Sequence, residues 1–372
     1  MQTKLSYRRV GSIEYNLVQL MALFNVWLIG CKIYKNPVKS ARVLAKMMGN
    51  INKMIVVKKL VRAFKVDGKY VWDMFYPSWP SAGFNSFFKN HLLETEPVTG
   101  QEQTLRRLMI AITKRCPLQC EHCSEAATLY NNDVLSYEQF IERIEPYVQQ
   151  GVGQLVFSGG EPLSRFDDLL KFLNYFKNRC NQWVYTSGYG LTLEKAKQLK
   201  AAGLDGAAIS LDHHLEAGHN TFRGNQKAYY WVLEAIQNLQ KVGIFAAVNV
   251  CPSKDYIDAG GVPQLIDLCK NLGVPVINIL EPRAVGNYQG KDVELLQSHK
   301  DYLKGLSDKF NFNKEYYTYP TVLFPAGLRK TMPCGGGRIY MLLDYDGTLY
   351  PCPFCKVKLT SYQPKKAVCM AE

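Results

Sequence analysis

The sequence of 372 residues is long enough for two to three domains, and its 47% hydrophobic and 12% aromatic residues are typical of a folded protein with a large core. Its 11 cysteines are scattered, and no signal peptide with a small-residue cleavage site is present, so we exclude a secreted disulfide scaffold and expect a reducing, cytoplasmic compartment. The net charge of +13 is concentrated in residues 1–70, where 14 Lys and Arg face only two acids and contribute +12.

The first feature along the chain is an apolar segment from Tyr15 to Cys31 that contains no charged residue. A membrane-spanning helix usually needs about 20 predominantly apolar residues. This segment is shorter and includes Gln19 and Asn25, and basic residues flank it on both sides, so it carries no orientation signal. The pattern therefore favours a helix that lies in the membrane interface or inserts shallowly.

A second helix is predicted to begin at Asn36-Pro37, an N-cap residue followed by proline at the first helical position. Its polar stripe has helical spacing and consists of Lys39, Arg42, Lys46, Asn50 and Lys53. A basic amphipathic helix beside an apolar one is attracted to an anionic membrane surface. The alternative is a helical domain that packs its apolar faces on the rest of the protein. Nucleic acid is disfavoured because no nucleic-acid motif is present. We assign residues 1–104 to this basic, mainly helical module.

From residue 105 short apolar runs alternate with helical patterns. The predicted strands are Leu108–Ile112, Gln154–Phe157, Trp183–Thr186, Ala207–Leu211, Ala246–Val250 and Val276–Leu280. The predicted helices are Ser136–Gln150, Asp167–Asn178, Thr192–Ala202, Ala228–Val242 and Gly261–Leu272. Six βα units predict an α/β fold with a parallel sheet, as a partial barrel or an open doubly wound sheet. In either, functional residues gather at the carboxyl ends of the strands.

Three cysteines, Cys116, Cys120 and Cys123, follow the first predicted strand on one short loop. Three thiolates can hold three irons of a [4Fe–4S] cube and leave the fourth iron open to another molecule. A zinc site would need a second pair of ligands, none lies nearby, and His122 is awkwardly placed beside Cys123. A disulfide would need an oxidising compartment. The spacing therefore predicts an open-sided iron–sulfur cluster.

The run Gly159-Gly160-Glu161-Pro162 follows the second predicted strand directly. Two glycines let the backbone approach a ligand closely, and the acid can bind an ammonium group. Alone this run could be a plain turn. Together with the cysteine motif, it makes residues 105 to about 290 resemble the radical S-adenosylmethionine (SAM) superfamily.

The resemblance implies a partial (β/α)6 barrel over residues 105–310, in which SAM binds the open iron of the cluster through its amino and carboxylate groups. It implies an oxidoreductase or transferase that cleaves SAM reductively to methionine and a 5′-deoxyadenosyl radical, which abstracts hydrogen from a substrate. The glycine-rich turn would meet the methionine ammonium, and His122 would lie near the adenine. Further SAM contacts are expected at Ser210, Arg223, Asn249 and the turn 281–286.

The C-terminal segment holds a second group of cysteines. Asp346-Gly347 predicts a hairpin that brings Cys334 and Cys352 together. Residues 311–372 resemble the SPASM and twitch domains, which bind auxiliary clusters. The full SPASM pattern has seven cysteines, so the resemblance implies one auxiliary [4Fe–4S] cluster, as in a twitch domain. The implied ligands are Cys334, Cys352, Cys355 and Cys369, with a free thiol as the alternative at Cys369.

The substrate is a small molecule, a lipid or a peptide. The basic module suggests a lipid or membrane-bound substrate at the inner face of the membrane. The alternative is a ribosomally made peptide, which many relatives with auxiliary clusters modify. Such enzymes often carry a leader-binding domain with a small sheet and winged helices, whereas residues 1–100 look mainly helical. We expect a flavodoxin or ferredoxin as the reductant. A non-catalytic iron–sulfur electron carrier is a further alternative, but it would not need the Gly-Gly-Glu-Pro turn.

Overall fold

A computed structural model defines residues 7–54, 62–101, 104–329 and 334–359, with the backbone alone for residues 50–54. The N-terminal module contains β1 (Arg8–Arg9), α1 (Ser12–Tyr34), α2 (Pro37–Met54), β2 (Phe64–Val66), β3 (Lys69–Val71) and α3 (Ala82–Thr95). The central part contains β4 (Arg107–Ala111), α4 (Tyr137–Gln149), β5 (Gln154–Ser158), α5 (Phe166–Phe176), β6 (Asn181–Thr186), α6 (Leu193–Ala202), β7 (Gly206–Ser210), α7 (Glu216–Arg223), α8 (Ala228–Val242), β8 (Phe245–Val250), α9 (Lys254–Asp258), α10 (Gly261–Asn271), β9 (Val276–Ile279) and α11 (Gln297–Phe312). The C-terminal segment adds β10 (Thr321–Leu323), β11 (Tyr340–Leu343) and β12 (Leu349–Tyr350).

The N-terminal module combines its helices with a three-stranded antiparallel sheet in the order β1-β2-β3, so it is less purely helical than the sequence suggested. Strands β2 and β3 form a hairpin around Asp67 and Gly68, whose φ angles are 47° and 75°. Asp-Gly is a preferred pair for such a two-residue turn. The predicted start of α2 is confirmed, because Asn36 Oδ1 accepts a hydrogen bond from Lys39 N at 2.9 Å.

The large sheet has the strand order β10-β9-β8-β7-β6-β5-β4-β11-β12. Neighbouring strands from β4 to β9 are all parallel, which confirms the predicted partial (β/α)6 barrel. Strands from the C-terminal part of the chain extend this series at both edges, with β10 parallel to β9 and β11 parallel to β4. The predicted hairpin is present as β11 and β12, which pair antiparallel.

Side chains alternate along each strand between two cores, as the period of a strand requires. On β5, Leu155 and Phe157 belong to the core that packs the helices on the sheet. Val156 between them belongs to a second core, together with Trp183 and Phe245. This second core is shared with the N-terminal module, so the module is part of the folded barrel.

The module closes the barrel at the amino ends of the strands. The rings of Phe64 in β2 and Phe245 in β8 have centroids 5.6 Å apart in an edge-to-face arrangement. The buried guanidinium of Arg62 donates a hydrogen bond to Phe310 O at 2.6 Å, near the C-terminal end of α11, where the helix dipole favours a cation. The opposite, carboxyl ends of the strands are left for the functional site.

Helix α1 is apolar on two faces. One face is buried and contains Tyr15, Val18, Ala22, Val26 and Ile33. The other face has large side chains with exposed fractions from 40% to 88%, namely Ile13, Leu17, Leu20, Met21, Phe24 and Leu28. By length and composition alone the helix could cross a membrane, and 28% of its most apolar 18-residue window is buried inside the protein.

We expect Phe64→Ala to destabilise the protein by about 3–5 kcal/mol, because it opens a cavity in the core that joins the module to the barrel. Phe24→Ala is the matched control, since the Phe24 side chain is 58% exposed whereas Phe64 is 4% exposed. Urea unfolding followed by circular dichroism measures both variants. Equal midpoints for the two would show that the module contributes nothing to barrel stability.

Candidate functional site

A cavity of about 220 Å³ opens at the carboxyl ends of β4 to β9. The predicted site residues that line it are Cys116, Cys120, His122, Cys123, Gly159, Gly160, Glu161, Ser210, Arg223 and Asn249. Pro162 is buried next to this lining, at the start of a short 3-10 turn. A larger cavity of about 330 Å³ lies between the N-terminal module and the amino ends of β6 and β7, and none of the predicted site residues lines it. The chemistry-bearing side chains therefore meet in the smaller cavity.

The cysteine loop, residues 116–123, is held by hydrogen bonds from distant segments. Gln119 N donates to Arg223 O at 3.1 Å, at the end of α7. Asn287 Nδ2 donates to Cys120 O at 2.9 Å from the loop after β9. These bonds fix a loop that has no regular secondary structure of its own.

The thiols of this loop face the cavity without a metal-like arrangement around one point. Burial raises the pKa of Cys116 to about 12 and that of Cys123 to about 11, so both are neutral thiols in the protein alone. Among the described residues, no three His, Cys, Asp or Glu side chains converge on a position for a single metal ion. A zinc ion with bonds of about 2.3 Å would draw its sulfurs to within about 4 Å of one another. Each thiolate of an iron–sulfur cube binds a different iron, so a cluster does not require the three sulfurs to meet at one metal ion.

The glycine turn packs against the chain that leads into the cysteine loop. Gly160 N donates to Thr113 O at 2.7 Å, and Glu161 N donates to Arg115 O at 2.8 Å. Gly159 has a φ of 145°, and a Cβ atom there would lie 2.4 Å from Thr113 O. Glycine is required because the backbone approaches closely. The partner in this close approach is the protein's own chain, so the two sequence motifs form one structural unit.

The buried Glu161 carboxylate is fully used within the protein. Its Oε1 accepts hydrogen bonds from Leu163 N at 3.0 Å and Thr186 Oγ1 at 2.6 Å. Its Oε2 accepts from Ser187 N at 2.7 Å and Ser187 Oγ at 2.6 Å. A carboxylate has about four lone-pair positions. Burial nevertheless raises its pKa above the usual value. The Glu161 side chain connects the glycine turn to the end of β6. Because its acceptor positions are occupied, it can act on an ammonium group only through its charge.

A buried ion pair stands behind the second cysteine. Arg223 Nε donates to Asp212 Oδ2 at 2.7 Å, and Arg223 Nη1 lies 3.5 Å from Cys120 Sγ. Burial opposes ionisation of Asp212, but the Arg223 charge, together with smaller contributions that include the hydrogen bond from Cys251 N, outweighs burial and lowers the pKa of Asp212. Asp212 Oδ1 also accepts from Cys251 N at 2.9 Å. The structure therefore gives Arg223 a protein carboxylate as its partner and directs one of its nitrogens at a predicted cluster ligand.

His122 stacks on Phe222, with ring centroids 4.8 Å apart and an interplanar angle of 23°. Burial and the nearby Arg223 lower the pKa of His122 to about 4, so the ring is neutral. Its Nδ1 atom is shielded from solvent and has no hydrogen-bond partner among the described residues. A buried polar atom without a partner is costly. A group bound in the cavity would supply that partner, which fits the predicted position of an adenine.

The remaining predicted contacts also come together. Ser210 and Asn249 are paired in register on β7 and β8. Asn249 Oδ1 accepts a hydrogen bond from Asn278 Nδ2 at 2.9 Å on β9. In the predicted turn 281–286, Gly286 has a φ of 58°, and a Cβ atom there would lie 2.0 Å from Cys123 O. The turn after β9 is therefore pressed against the cysteine loop.

Comparisons with known proteins agree with this geometry. Residues 110–252 match the family described as the radical SAM superfamily. The PqqA peptide cyclase of Streptomyces rochei is 28% identical over 254 residues, which are 66% of this chain and 68% of the relative. The GTP 3′,8-cyclase of Aliarcobacter butzleri is 29% identical over 191 residues, which are 50% of this chain and 57% of the relative. Residues 110–252 of this chain form a radical SAM domain.

Solved structures with the same fold include Streptococcus suis SuiB bound to S-adenosylmethionine. It matches with a TM-score of 0.55 and 15% identity over 72% of this chain and 65% of SuiB, so this chain spans slightly less than two thirds of SuiB. The structure of SuiB bound to its precursor peptide SuiA matches over 85% of this chain and 65% of SuiB, with a TM-score of 0.53 and 12% identity. Native anSMEcpe with bound AdoMet matches with a TM-score of 0.54 and 18% identity over 68% of this chain and 75% of anSMEcpe.

In this radical SAM protein the C-terminal cysteines also lie close together. Cys355 N donates to Cys352 Sγ at 3.2 Å. A Cβ atom added to Gly336 would lie 3.5 Å both from Cys334 Sγ and from Cys352 Cβ. Cys369 lies outside the described residues. Three of the four predicted auxiliary ligands are therefore gathered in one place.

A network of ion pairs joins the two groups of cysteines, and sequence analysis missed it. The fully buried Lys114 Nζ lies 2.5 Å from Glu125 Oε2 and 2.8 Å from Asp344 Oδ1. Lys356, next to Cys355, binds the other oxygen of Glu125 at 2.6 Å. Phe354, from the same C-terminal segment, lines the cavity of the radical SAM site. Local sequence patterns cannot reveal pairs that are more than 200 residues apart.

We expect Gly286→Ala to displace the cysteine loop and to lower the iron content of the radical SAM protein, because its Cβ atom would collide with Cys123 O. Gly290→Ala is the matched control. Gly290 also has a positive φ, of 75°, but nothing lies within 4 Å of its added Cβ atom, so only backbone strain is added there. The measurement is the iron content per chain of both variants after reconstitution. Equal iron in both variants would mean that the turn does not position the loop.

Proposed function

We propose that this protein uses Cys116, Cys120 and Cys123 to hold a [4Fe–4S] cluster and that it binds SAM in the adjoining cavity. The observation that carries this proposal is the meeting of three thiols and the partnerless Nδ1 of His122 in one cavity at the carboxyl ends of the strands. When bound, the cluster supplies the electron that cleaves SAM to methionine and a 5′-deoxyadenosyl radical, which takes hydrogen from the substrate.

The chain's own residues position and shield these groups. The Arg223 guanidinium places one nitrogen 3.5 Å from the Cys120 sulfur, and Asp212 holds the guanidinium in place. The neutral His122, stacked on Phe222, offers a flat surface and a free Nδ1 to an adenine. The glycine turn lines the cavity where the resemblance implies the methionine ammonium, and Phe354 lines the same cavity.

The test is the release of 5′-deoxyadenosine when anaerobically reconstituted protein is mixed with SAM and dithionite. We expect release above that of SAM and dithionite alone, measured by liquid chromatography and mass spectrometry. An electron carrier would not bind SAM, so calorimetry with SAM separates that alternative. Absence of both SAM binding and cleavage in protein with a full iron content would refute the proposed function.

We propose a peptide as the substrate. A relative that is 28% identical to this chain is a peptide cyclase. One of the solved structures with a similar fold is SuiB bound to its precursor peptide. Residues 105–372 number 268 of 372, or 72% of this chain, so the 85% matched by that complex must include part of the N-terminal module. The sequence analysis disfavoured a leader-binding domain because the module looked mainly helical. The module contains a small three-stranded sheet, so that objection no longer holds. These observations favour a peptide over the lipid substrate that the basic charge suggested.

The peptide proposal is tested by incubating the reconstituted enzyme, SAM and dithionite with short peptides encoded beside its gene. We expect a modified peptide whose mass has fallen by two hydrogen atoms. The 5′-deoxyadenosyl radical takes one of them, and the other leaves as a proton while its electron returns to an iron–sulfur cluster, so SAM is the net oxidant. The lipid is the second candidate, favoured by the exposed apolar face of α1. If a deletion strain has altered lipids but the same peptides as the parent strain, the lipid becomes the first candidate and the peptide the second.

We propose that residues 311–372 act as an auxiliary-cluster domain with Cys334, Cys352, Cys355 and Cys369 as ligands, and that a cytoplasmic flavodoxin or ferredoxin is the reductant. The close approach of Cys352 and Cys355 supports the second cluster. Reconstituted protein should then carry about eight irons per chain, and Cys352→Ala together with Cys355→Ala should leave about four. An unchanged iron count in that double variant would contradict the second cluster.

A further inference from the structure

Helix α1 is unusual for a helix at the surface of a folded protein. A surface helix normally buries one apolar stripe and turns polar residues to solvent. In α1 the buried stripe around Val18, Ala22 and Val26 is fixed to the module, and the face opposite to it is also apolar. The second face therefore has no partner among the described residues.

The exposed face is one continuous stripe. Its six large side chains recur at intervals of four, three, one, three and four residues, which places them on one side of the helix. Their exposed fractions are 88% at Ile13, 66% at Leu20 and 58% at Phe24. From residue 13 to residue 28 the stripe is about 22 Å long at 1.5 Å per residue. Contiguous exposed apolar surface of this kind marks an interaction site.

The charge around the stripe indicates the chemistry of the partner. Residues 1–70 carry a net charge of +12. Lys32 and Lys35 are exposed at the C-terminal end of α1, and Arg42 is exposed on α2. The acidic Glu14 near the other end is already paired, with Arg8 Nη1 at 2.7 Å. Asp67, the other acid of residues 1–70, is paired with Lys200, so both acids have partners in the described part of the chain. The cationic surrounding therefore complements an anionic surface.

The packing of α1 also decides how the helix can meet a membrane. Its buried face contacts α2 and α3, and Trp79 and Phe84 belong to the same core. A helix that crosses a bilayer would have to leave this core and replace those contacts with lipid. A helix that lies in the plane of the membrane keeps them and buries only its outer face.

We propose that the outer face of α1 lies in the headgroup region of an anionic lipid bilayer, with the helix axis parallel to the membrane and the folded enzyme above it. The apolar stripe enters the boundary between headgroups and acyl chains, and Lys32, Lys35 and Arg42 contact acidic headgroups. This proposal concerns where the enzyme works. It does not depend on SAM cleavage or on the identity of the substrate.

The experiment is flotation of the full-length protein with vesicles of phosphatidylcholine alone or of phosphatidylcholine with roughly a third of phosphatidylglycerol. The test variant is Leu17→Gln combined with Leu20→Gln, which keeps good helix formers and removes two apolar contacts. The matched control is Leu296→Gln, because Leu296 is 58% exposed, Leu17 is 57% exposed, and Leu296 lies at the start of α11. Circular dichroism establishes that all three proteins are folded.

We expect wild type and Leu296→Gln to float with the anionic vesicles and not with the neutral ones, and high salt to weaken the binding. The double variant should lose at least about tenfold in vesicle affinity. The proposal is overturned if wild type fails to float, or if the double variant floats as well as wild type. It is also overturned if light scattering shows a dimer that the double variant dissociates, because the stripe would then bind a second copy of the chain.

Discussion

The combined replacement of Cys116, Cys120 and Cys123 by alanine is expected to abolish the release of 5′-deoxyadenosine from SAM. These thiols share one cavity, and no other cysteine of the described residues lines it except Cys251. Loss of an outer partner of a metal ligand typically costs 10–100-fold in metal affinity or activity, so loss of all three ligands should cost more than about 100-fold. The measurement is 5′-deoxyadenosine formed per chain under anaerobic, reducing conditions.

The control for this triple variant replaces two buried cysteines that do not line the cavity. Cys180→Ala combined with Cys269→Ala removes thiols of the helix-packing core and should keep both the iron and the cleavage activity. Because the auxiliary cysteines stay intact in the triple variant, its remaining iron reports on the second site. Cleavage by the triple variant at the wild-type rate would place the chemistry elsewhere in the protein.

The second large effect is expected from Asp212→Ala, which leaves the buried Arg223 charge without its carboxylate. Breaking a buried ion pair in this way costs about 3–5 kcal/mol. The guanidinium would also lose its orientation toward Cys120 Sγ, 3.5 Å away, so iron content should fall with stability. Urea unfolding and iron per chain measure the two consequences separately.

The matched control for Asp212→Ala is Asp308→Ala. Asp308 pairs with Lys304 at 2.5 Å, but both side chains are about two fifths exposed, at 43% and 40%. A surface pair contributes about 0–1 kcal/mol. Replacing Asp212 and Arg223 together by leucine should cost less stability than Asp212→Ala alone, because no unpaired charge remains. If the single variant is no less stable than the double variant, the ion pair is not the reason for the loss.

The Asp212 pair also gives a pH dependence of defined sign. Its pKa in the folded protein is lowered from the usual 3.8. The stabilisation is therefore present above about pH 4 and is lost as the pH falls through the lower value of the folded protein. The difference in unfolding free energy between wild type and Asp212→Ala should accordingly be constant near neutral pH and should shrink in acid.

The barrel was predictable because its elements have strong local signals. The helix Ala228–Val242 was predicted with the bounds that the structure has. The first barrel strand was predicted one residue late, at 108–112, and is Arg107–Ala111. The alternation of strands and helices fixed the edge at which the cysteine loop and the glycine turn meet. Motif position along the chain was therefore enough to place the cavity.

What the sequence did not reveal depends on contacts between distant residues. The small N-terminal sheet was missed because strands of two and three residues have almost no period, although Asp67-Gly68 was a usable turn signal. Arg223 was predicted as a SAM contact, but its buried pair with Asp212 has no local sequence signal. The acceptor capacity of Glu161 is used by Thr186 and its neighbours, which no spacing rule could indicate.

The placement of β11 beside β4 has a consequence for the synthesis of the protein on the ribosome. Strand β4, the first strand of the barrel, pairs with β11, which begins at Tyr340, more than 200 residues later in the chain. At about 5–20 residues per second, that interval lasts roughly 10–50 s. During this time the edge of β4 is uncovered and Lys114 lacks Asp344. The buried charge that precedes the cysteine loop can therefore meet both of its acids only after translation has passed residue 344.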